Sequence, residues 1–274
     1  MELDMDIKDG RGATIVADAR QEPYRPLWQE RTALLLGDDA LGRLRSSTVV
    51  VAGLGGVGAY AAEMTARAGV GRMIIIDSDR VSESNKNRQL LALDSTEGQL
   101  KVDVMAGRLL DINPELHIVK VPEYLTEDNV SAVLDSALKE MASACTVVRP
   151  DFVIDAIDTL SPKIALIAHC VHNGIPLVSS MGSGAKLDAT KVRLADISKS
   201  YNCPLAFILR KRLRKIGISK GFQAVFSEEL PEREAIVPTE GERNKKSQVG
   251  TVSYLPAVFG CICAQAAVRY LCGK

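Results

Sequence analysis

The sequence has few histidines and no closely spaced cysteine pair of the kind that binds zinc. The three histidines, His117, His169 and His172, lack metal-ligand spacing, and none of the six cysteines forms a CxxC pair. These absences argue against a four-cysteine zinc site and against the disulfide framework of a small secreted protein. We therefore expect a protein of the reducing cytoplasm, with cysteines such as Cys261 and Cys263 packed inside a helix.

The chain also has no excess of charge of either sign. Its 34 Lys and Arg residues balance 34 Asp and Glu residues. A neutral protein has no global field that would attract nucleic acid or an anionic membrane. Any polyanionic partner must therefore be bound by a local patch.

Long uninterrupted apolar runs are missing as well. Residues 1–20 contain several charged side chains and no apolar core of a signal peptide. The best candidate for a membrane span, Tyr254–Cys272, is interrupted by Pro256, Gly260, Gln265 and Arg269. We expect this segment to be a buried or dimer-interface helix rather than a membrane span, because its apolar stretch is too short to cross a bilayer comfortably.

What the sequence does contain is a regular alternation of strand and helix signals. This alternation predicts a doubly wound, Rossmann-like α/β fold with a mostly parallel sheet and helices on both faces. We predict an N-terminal arm and helix over 1–44 and one nucleotide-binding domain over 45–274, with an exposed crossover loop at 227–250. The predicted strands begin near Thr48, Met73, His117, Phe152, Leu177, Val192 and Gln223.

A glycine-rich turn follows the first predicted strand and opens a helix. It contains Gly53, Gly55, Gly56 and Gly58, spaced for a tight turn, a close approach to phosphate and close helix–sheet packing. Asp77 lies 19 residues after Gly58, where a carboxylate binds ribose hydroxyls. By itself this pattern fits NAD as well as ATP, and glycines that serve packing alone are a further alternative.

A polar cluster directly after Asp77 favours a triphosphate over a dinucleotide. Attack on an α-phosphate requires cations and donors that neutralise the departing pyrophosphate. Arg88 offers a planar fork to phosphate oxygens, and Lys101 offers a point charge from the next helix. The other members of this predicted nucleotide-binding cluster are Asp79, Asn85 and Gln89.

A second acidic pair, Asp155 and Asp158, follows a later strand. Asp158 is expected at the crevice where open parallel sheets bind ligands, and its predicted role is to bind Mg²⁺. The alternative is that Asp155 and Asp158 cap the helix predicted to begin at Pro162.

Together these motifs resemble the ubiquitin-activating, molybdopterin- and thiamine-adenylyltransferase superfamily, the ThiF-type adenylating enzymes. The resemblance implies ATP and Mg²⁺ as cofactors, ribose binding by Asp77, and phosphate binding by Asn85, Arg88 and Lys101. It implies Asp158 as the Mg²⁺ ligand. Arg31 falls where this superfamily places an arginine that reaches the γ-phosphate in the other subunit, which implies a homodimer. A simply solvated or salt-bridged Arg31 is the alternative.

The second half of the chain resembles the bacterial tRNA threonylcarbamoyladenosine dehydratases. The similar segments are 111–115, 180–188, 196–200 and 225–229. The resemblance implies adenylation of the threonyl carboxylate of a modified adenosine in tRNA, followed by ring closure with release of AMP. The chain departs from this group at Ala59, at Asn202-Cys203-Pro204 and in having no cysteine between Cys203 and Cys261.

Three other functions remain open at this stage. One is adenylation of the C-terminal glycine of a small ubiquitin-like sulfur-carrier protein. The sequence does not decide whether the protein has a sulfur-relay or accessory partner. The others are a regulatory subunit that has lost activity and an NAD oxidoreductase. The intact set of Arg31, Asn85, Arg88, Lys101 and Asp158 argues against a regulatory subunit.

A basic helix is predicted over Pro204–Lys215. A local run of cations on a neutral protein predicts contact with the tRNA backbone. The alternative is a solvated helix face that covers an apolar face formed by Leu205, Phe207, Ile208 and Leu213. The five cations are Arg210, Lys211, Arg212, Arg214 and Lys215.

Overall fold

The computed structural model describes residues 26–142, 149–238 and 247–274. The first 25 residues of the predicted arm, Cys145 and the middle of the predicted crossover loop lie outside these ranges. Within them, a single seven-stranded sheet and a two-stranded ribbon account for the β-structure.

The seven-stranded sheet confirms the predicted fold class. Its spatial order is β3-β2-β1-β4-β5-β7-β6, and every neighbouring pair is parallel except β6 and β7. The strands are β1 (Thr48–Ala52), β2 (Arg72–Ile76), β3 (His117–Val121), β4 (Phe152–Asp155), β5 (Leu177–Ser180), β6 (Val192–Asp196) and β7 (Gln223–Ser227).

Helices cover both faces of the sheet. They are α1 (Glu30–Leu36), α2 (Asp38–Ser46), α3 (Gly58–Arg67), α4 (Lys101–Ile112), α5 (Val130–Ala142), α6 (Leu160–His172), α7 (Pro204–Lys215) and α8 (Tyr254–Leu271). On one face Val49 and Val51 pack in a core with α2, α3, α4 and α8, and on the other Val50 and Ala52 pack with α5, α6 and α7. Burial on both faces explains why β1 is apolar throughout rather than alternating. Because α2 continues across residues 44 and 45, it spans the predicted domain boundary, and the division itself stays a prediction.

Helix α8 is the one helix in the described ranges that is long and apolar enough to cross a membrane, a test that core helices also pass. Half of it is buried. It packs against α3 through Gly260, where a Cβ would lie 2.4 Å from the Val57 carbonyl oxygen. This close approach requires glycine and fits a core helix, although the absence of a membrane span stays a prediction.

The segment predicted as an unbroken crossover loop contains two short strands that the prediction missed. β8 (Ile236–Pro238) and β9 (Ser247–Val249) pair antiparallel. The Ala185 N–H donates to the Gly250 carbonyl at 2.8 Å, so the ribbon docks on the turn after β5. Strands of three residues with a proline carry no alternating apolar pattern, and their pairing depends on this docking rather than on local sequence.

Candidate nucleotide-binding site

A crevice lies at the carboxyl ends of β1 and β4, where the strand order reverses. Open α/β sheets bind ligands at this topological switch point. Gly53 follows β1, Asp77 follows β2, and Asp158 follows β4. The topology therefore brings three separately predicted segments to one edge of the sheet.

The glycine-rich turn depends on two of its glycines for its shape. Gly53 has φ of 88°, and a Cβ there would lie 2.8 Å from the Ala156 carbonyl oxygen. A Cβ on Gly58 would lie only 1.7 Å from the Gly53 carbonyl oxygen. At Gly55, by contrast, the nearest atom to a Cβ is Gln89 Nε2 at 3.8 Å, and a Cβ on Gly56 would lie 3.0 Å from Pro256 Cβ. The turn thus packs tightly against β4 while Gly55 leaves space on its other side, at the uncapped start of α3.

Asp77 is held in one orientation by two backbone donors. Its Oδ2 accepts from the Leu54 N–H at 2.6 Å, and its Oδ1 accepts from the Asp79 N–H at 2.8 Å. Burial raises the pKa of Asp77 above its ordinary value, while the nearby Lys101 ammonium, 4.0 Å away, opposes this shift. A fixed acceptor beside the glycine turn is what ribose recognition requires.

Lys101 is a buried cation at the start of α4. Its side chain is only 5% exposed, and its Nζ donates to Asp79 Oδ2 at 2.9 Å. The Lys101 N–H also donates to the Asp79 carbonyl at 3.0 Å. The structure therefore brings Asp77, Asp79 and Lys101 together as the sequence predicts.

Asn85, Arg88 and Gln89 lie on a tight turn that faces the glycine loop. Asn85 Oδ1 accepts from the Ser82 N–H at 3.4 Å, which orders the turn. The Arg88 guanidinium donates to the Ser84 carbonyl at 3.2 Å and to Asn87 Oδ1 at 2.8 Å. The backbone carbonyl of Arg88 would lie 3.3 Å from a Cβ on Gly56, which places the turn beside the glycines.

Asn87 belongs to the polar run after Asp77, and its side chain makes a long-range contact that we did not predict. Its Nδ2 donates to the Thr251 carbonyl at 3.1 Å, across 164 residues of chain. This bond ties the turn that carries Arg88 to the segment that connects β9 with α8. The sequence shows that Asn87 lies between Asn85 and Arg88, but it does not indicate a partner 164 residues away.

Asp155 does not cap a helix, so that alternative is wrong for this residue. Helix α6 begins at Leu160 with Thr159 as its N-cap residue. Asp155 is instead fully buried and accepts from Lys163 Nζ at 2.9 Å and from Ser179 Oγ at 2.6 Å. The Asp155–Lys163 ion pair is buried, and its charges are stabilised by hydrogen bonds rather than by water. Asp155 therefore has a structural role beneath the crevice.

Asp158 lies exposed on the loop between β4 and α6 and is not the N-cap residue either. Within the described ranges, no group of three or more His, Cys, Asp or Glu side chains could hold a metal ion. Mg²⁺ commonly uses one or two protein carboxylates, with phosphate and water supplying its other ligands. A single carboxylate at the mouth of a triphosphate crevice fits this donor requirement.

Cys263 fits the predicted role of a packing residue. It is fully buried, and this burial raises its pKa to about 12. A thiol with so high a pKa is a poor nucleophile. Cys261, which we expected to be packed in the same way, is instead exposed on the other side of α8, so the prediction was wrong for this residue.

Arg31 is exposed on α1 and has no described contact with the crevice residues of its own subunit. Its neighbours Leu34 and Leu35 are 82% and 78% exposed. A helix that presents large apolar side chains beside an arginine is unusual for a monomer surface. Whether Arg31 reaches a second subunit's nucleotide stays a prediction.

The structure corrects the predicted apolar face of α7. Ala206, Leu209 and Leu213 are buried, whereas Phe207 is 62% and Ile208 is 39% exposed. The buried residues are spaced i, i+3 and i+7, so they share one helix face. Phe207 and Ile208 point away from this face. The prediction was therefore wrong for Phe207 and Ile208. Lys211, Arg212, Arg214 and Lys215 are exposed, and Arg210 is half-buried.

A cavity of about 580 Å³ lies at the opposite edge of the sheet, at the amino ends of β4, β5 and β7. None of the predicted site residues lines it. It is formed by residues that include Phe152, Leu177, Gln223 and Tyr270. The predicted nucleotide-binding residues lie at the crevice and not at this cavity, and the crevice combines helix N-terminal donors with a cation and carboxylates.

Comparison with known proteins identifies the family of the chain. The ThiF family model matches residues 29–274. The chain is 42% identical over 239 residues to the tRNA threonylcarbamoyladenosine dehydratase of Bacillus subtilis, covering 85% of this chain and 89% of the relative. It is 36% identical over 267 residues to the dehydratase of Escherichia coli, covering 90% and 95% of the two chains.

A solved structure shows the same relationship. The crystal structure of the Escherichia coli tRNA N6-threonylcarbamoyladenosine dehydratase in complex with ATP superposes with a TM-score of 0.78 at 35% identity. The match covers 91% of this chain and 97% of that one. This chain belongs to the ThiF family and groups within it with the tRNA threonylcarbamoyladenosine dehydratases.

Proposed function

We propose that this protein is an ATP-dependent tRNA threonylcarbamoyladenosine dehydratase. The observation that carries the proposal is the ordered crevice cluster, in which Asp77, Lys101 and the Arg88 turn surround the glycine-rich loop. Relatives with this activity match nearly the whole chain, and one of them was solved with ATP.

The proposed reaction has two steps. The threonyl carboxylate of the modified adenosine attacks the α-phosphate of ATP, and pyrophosphate leaves. The amide nitrogen of the same side chain then attacks the activated carbonyl carbon, loses its proton and expels AMP. The net change in the nucleoside is the loss of one water, and no covalent enzyme intermediate is required.

Each site residue has a separate role in the adenylation step. Asp77 binds the ribose, and the glycine turn with Gly53, Gly55, Gly56 and Gly58 lets the phosphates approach the start of α3. Arg88 and Lys101 stabilise the negative charge that develops on the departing pyrophosphate, which is the dominant requirement of phosphoryl chemistry. Asn85 and Gln89 act as neutral donors, and Asp79 holds Lys101.

Mg²⁺ is the proposed metal, with Asp158 as its protein ligand. The cation supplies charge neutralisation on the phosphates when it is bound. The exposed carboxylate at the carboxyl end of β4 suits an ion that keeps several waters and phosphate ligands.

The active unit is proposed to be a homodimer of the cytoplasm. Arg31 would reach the phosphates in the partner's crevice, so each site would need both subunits. The exposed leucines that flank Arg31 on α1 support burial of this helix in an assembly.

The second candidate, an adenylyltransferase for a small carrier protein, differs in its acceptor. The chain has no cysteine between Cys203 and Cys261, so the crossover lacks the thiol that such relay enzymes use. A pyrophosphate-exchange assay separates the two functions. Exchange into ATP is expected with tRNA that carries the uncyclised nucleoside, and exchange only with a carrier protein would refute the dehydratase.

A further inference from the structure

We infer that Phe207 of α7 is a stacking platform for an unpaired base of the RNA substrate. This inference rests on the proposed function and extends it from the reacting nucleoside to a neighbouring nucleotide. The juxtaposition that carries it is an exposed aromatic ring in a groove whose other walls are cationic.

The groove has a volume of about 300 Å³ and is lined by Phe207, Arg210, Lys211 and Arg214. These residues are spaced i, i+3, i+4 and i+7, so they share one face of the helix. Phe207, one of only 5 phenylalanines in the chain, is 62% exposed. An exposed aromatic side chain among three cations matches what single-stranded RNA requires, which is a π-face for the base and cations for the flanking phosphates.

Arg210 gives the groove one rigid wall. Its guanidinium donates to Ser200 Oγ at 2.7 Å and also to the Ser200 carbonyl. Lys211 and Arg214 are exposed and make no ion pair in the described part of the chain. The groove thus contains one hydrogen-bonded cation and two cations without an ion pair. This local positive charge complements a polyanion, although the net charge of the whole protein is zero.

The helix that carries the groove starts near the carboxyl end of β5, the strand beside β4. Cys203, which directly precedes α7, places its Sγ 3.5 Å from a Cβ position on Gly182, and Gly182 lies just beyond the carboxyl end of β5. Helix α7 therefore starts at the edge of the sheet where the crevice opens. Phe207 lies four residues after Cys203, about 6 Å along the helix axis. The proposed occupant is an unpaired base of the RNA loop that carries the reacting adenosine.

The test is steady-state turnover of tRNA that carries the uncyclised nucleoside. Phe207→Ala should raise KM for tRNA about tenfold, because stacking of one base on an aromatic ring has an effect of this size. It should leave kcat and KM for ATP within about twofold of the wild type. Phe207→Trp should retain the wild-type KM, since indole stacks at least as well. Ile208→Ala is the matched control, because Ile208 is exposed on the same helix but does not line the groove.

A fluorescence measurement separates stacking from general charge attraction. The chain has one tryptophan, Trp28, so F207W adds a second emitter in the groove. An unpaired oligouridine should quench the added emission, and a polyglutamate peptide should not. A KM for tRNA that is unchanged in F207A, an equal rise in I208A, or equal quenching by polyglutamate would overturn the inference. Wild-type protein that never turns over tRNA would instead overturn the proposed function, and that failure is visible before any variant is made.

Discussion

Individual glycines in the glycine-rich turn have different physical roles, which substitution can separate. Gly58→Ala would place a Cβ 1.7 Å from the Gly53 carbonyl oxygen, so the turn must open. We expect ATP binding to be lost and the free energy of unfolding to fall by about 1–3 kcal/mol. Isothermal titration with ATP and chemical denaturation would measure both quantities.

The control for this variant is Gly107→Ala. Gly107 lies inside α4 with no atom within 4 Å of a Cβ position. Alanine there should keep ATP affinity and stabilise the helix by up to about 1 kcal/mol. If Gly58→Ala binds ATP as tightly as Gly107→Ala, the turn does not contact the phosphates.

The metal assignment depends on the carboxylate of Asp158. Asp158→Asn should lower AMP formation at least about a hundredfold, because the site loses the charge that holds the cation. The melting temperature should stay within a few degrees of the wild type, since Asp158 is exposed. Asp111→Asn, at the exposed end of α4, is the control and should retain full activity. Equal turnover of the two variants would refute Asp158 as the ligand.

At the residue scale, the cluster of Asp77, Asp79 and Lys101 was predictable from sequence. Asp77 and Asp79 follow the second strand at a set distance from the glycine-rich turn, and Lys101 opens the next helix. Sequence spacing did not predict the buried pair of Asp155 and Lys163. A lysine inside the apolar α6 was the available signal, but the pairing spans two elements and depends on their packing. The partner of Asn87 was hidden for the same reason.

At the element scale, α3 and α4 are joined by a carboxylate with two arginine partners. The Glu63 side chain is 7% exposed and accepts from Arg67 at 2.9 Å and from Arg108 of α4. Burial alone would raise the pKa of Glu63, but the hydrogen bonds from Arg108 and Arg67 lower it below the ordinary value of 4.5. The charged form of Glu63 therefore stabilises the folded state.

The sign of the pH effect follows from this lowered pKa. The stabilisation is fully present above the unfolded-state pKa and is lost as pH falls through the lower folded-state value. Glu63→Gln should cost about 1 kcal/mol near pH 7, and the difference from wild type should shrink below about pH 4. Urea denaturation across this range measures it. Glu127→Gln, on an exposed turn, should change stability little at either pH, and a constant Glu63→Gln deficit would contradict the account.

Most elements were predictable because their hydrophobic periodicity is strong. All seven strands of the sheet begin within about one residue of the predicted positions, and α7 has the predicted bounds. The ribbon of β8 and β9 was missed because it is short and polar. The outward orientation of Phe207 was also missed, because the apolar pattern of α7 admits two faces and tertiary packing selected the one with Ala206, Leu209 and Leu213.

At the scale of the whole molecule, the proposed dimer predicts complementation between two inactive variants. Arg31→Ala lacks the residue donated to the partner, and Asp158→Asn lacks a residue of its own site. A mixed dimer contains one site with both residues intact. Mixing equal amounts should therefore restore about a quarter of wild-type activity, because half of the dimers are mixed and half of their sites are complete.

This result would be measured as AMP formation after subunit exchange. Each variant alone should stay inactive, and the mixture should gain activity at the rate of exchange. A mixture that remains inactive, although mass analysis shows mixed dimers, would show that Arg31 acts within its own subunit, and an active Arg31→Ala variant would show that Arg31 is not needed.

The measurement closest to the central claim is incubation of the purified protein with ATP, Mg²⁺ and tRNA that carries the uncyclised nucleoside, followed by nucleoside mass analysis. The proposed function predicts a nucleoside lighter by one water and one AMP formed for each. Correctly folded protein that produces neither, or that binds NADH in the crevice in place of ATP, would contradict it.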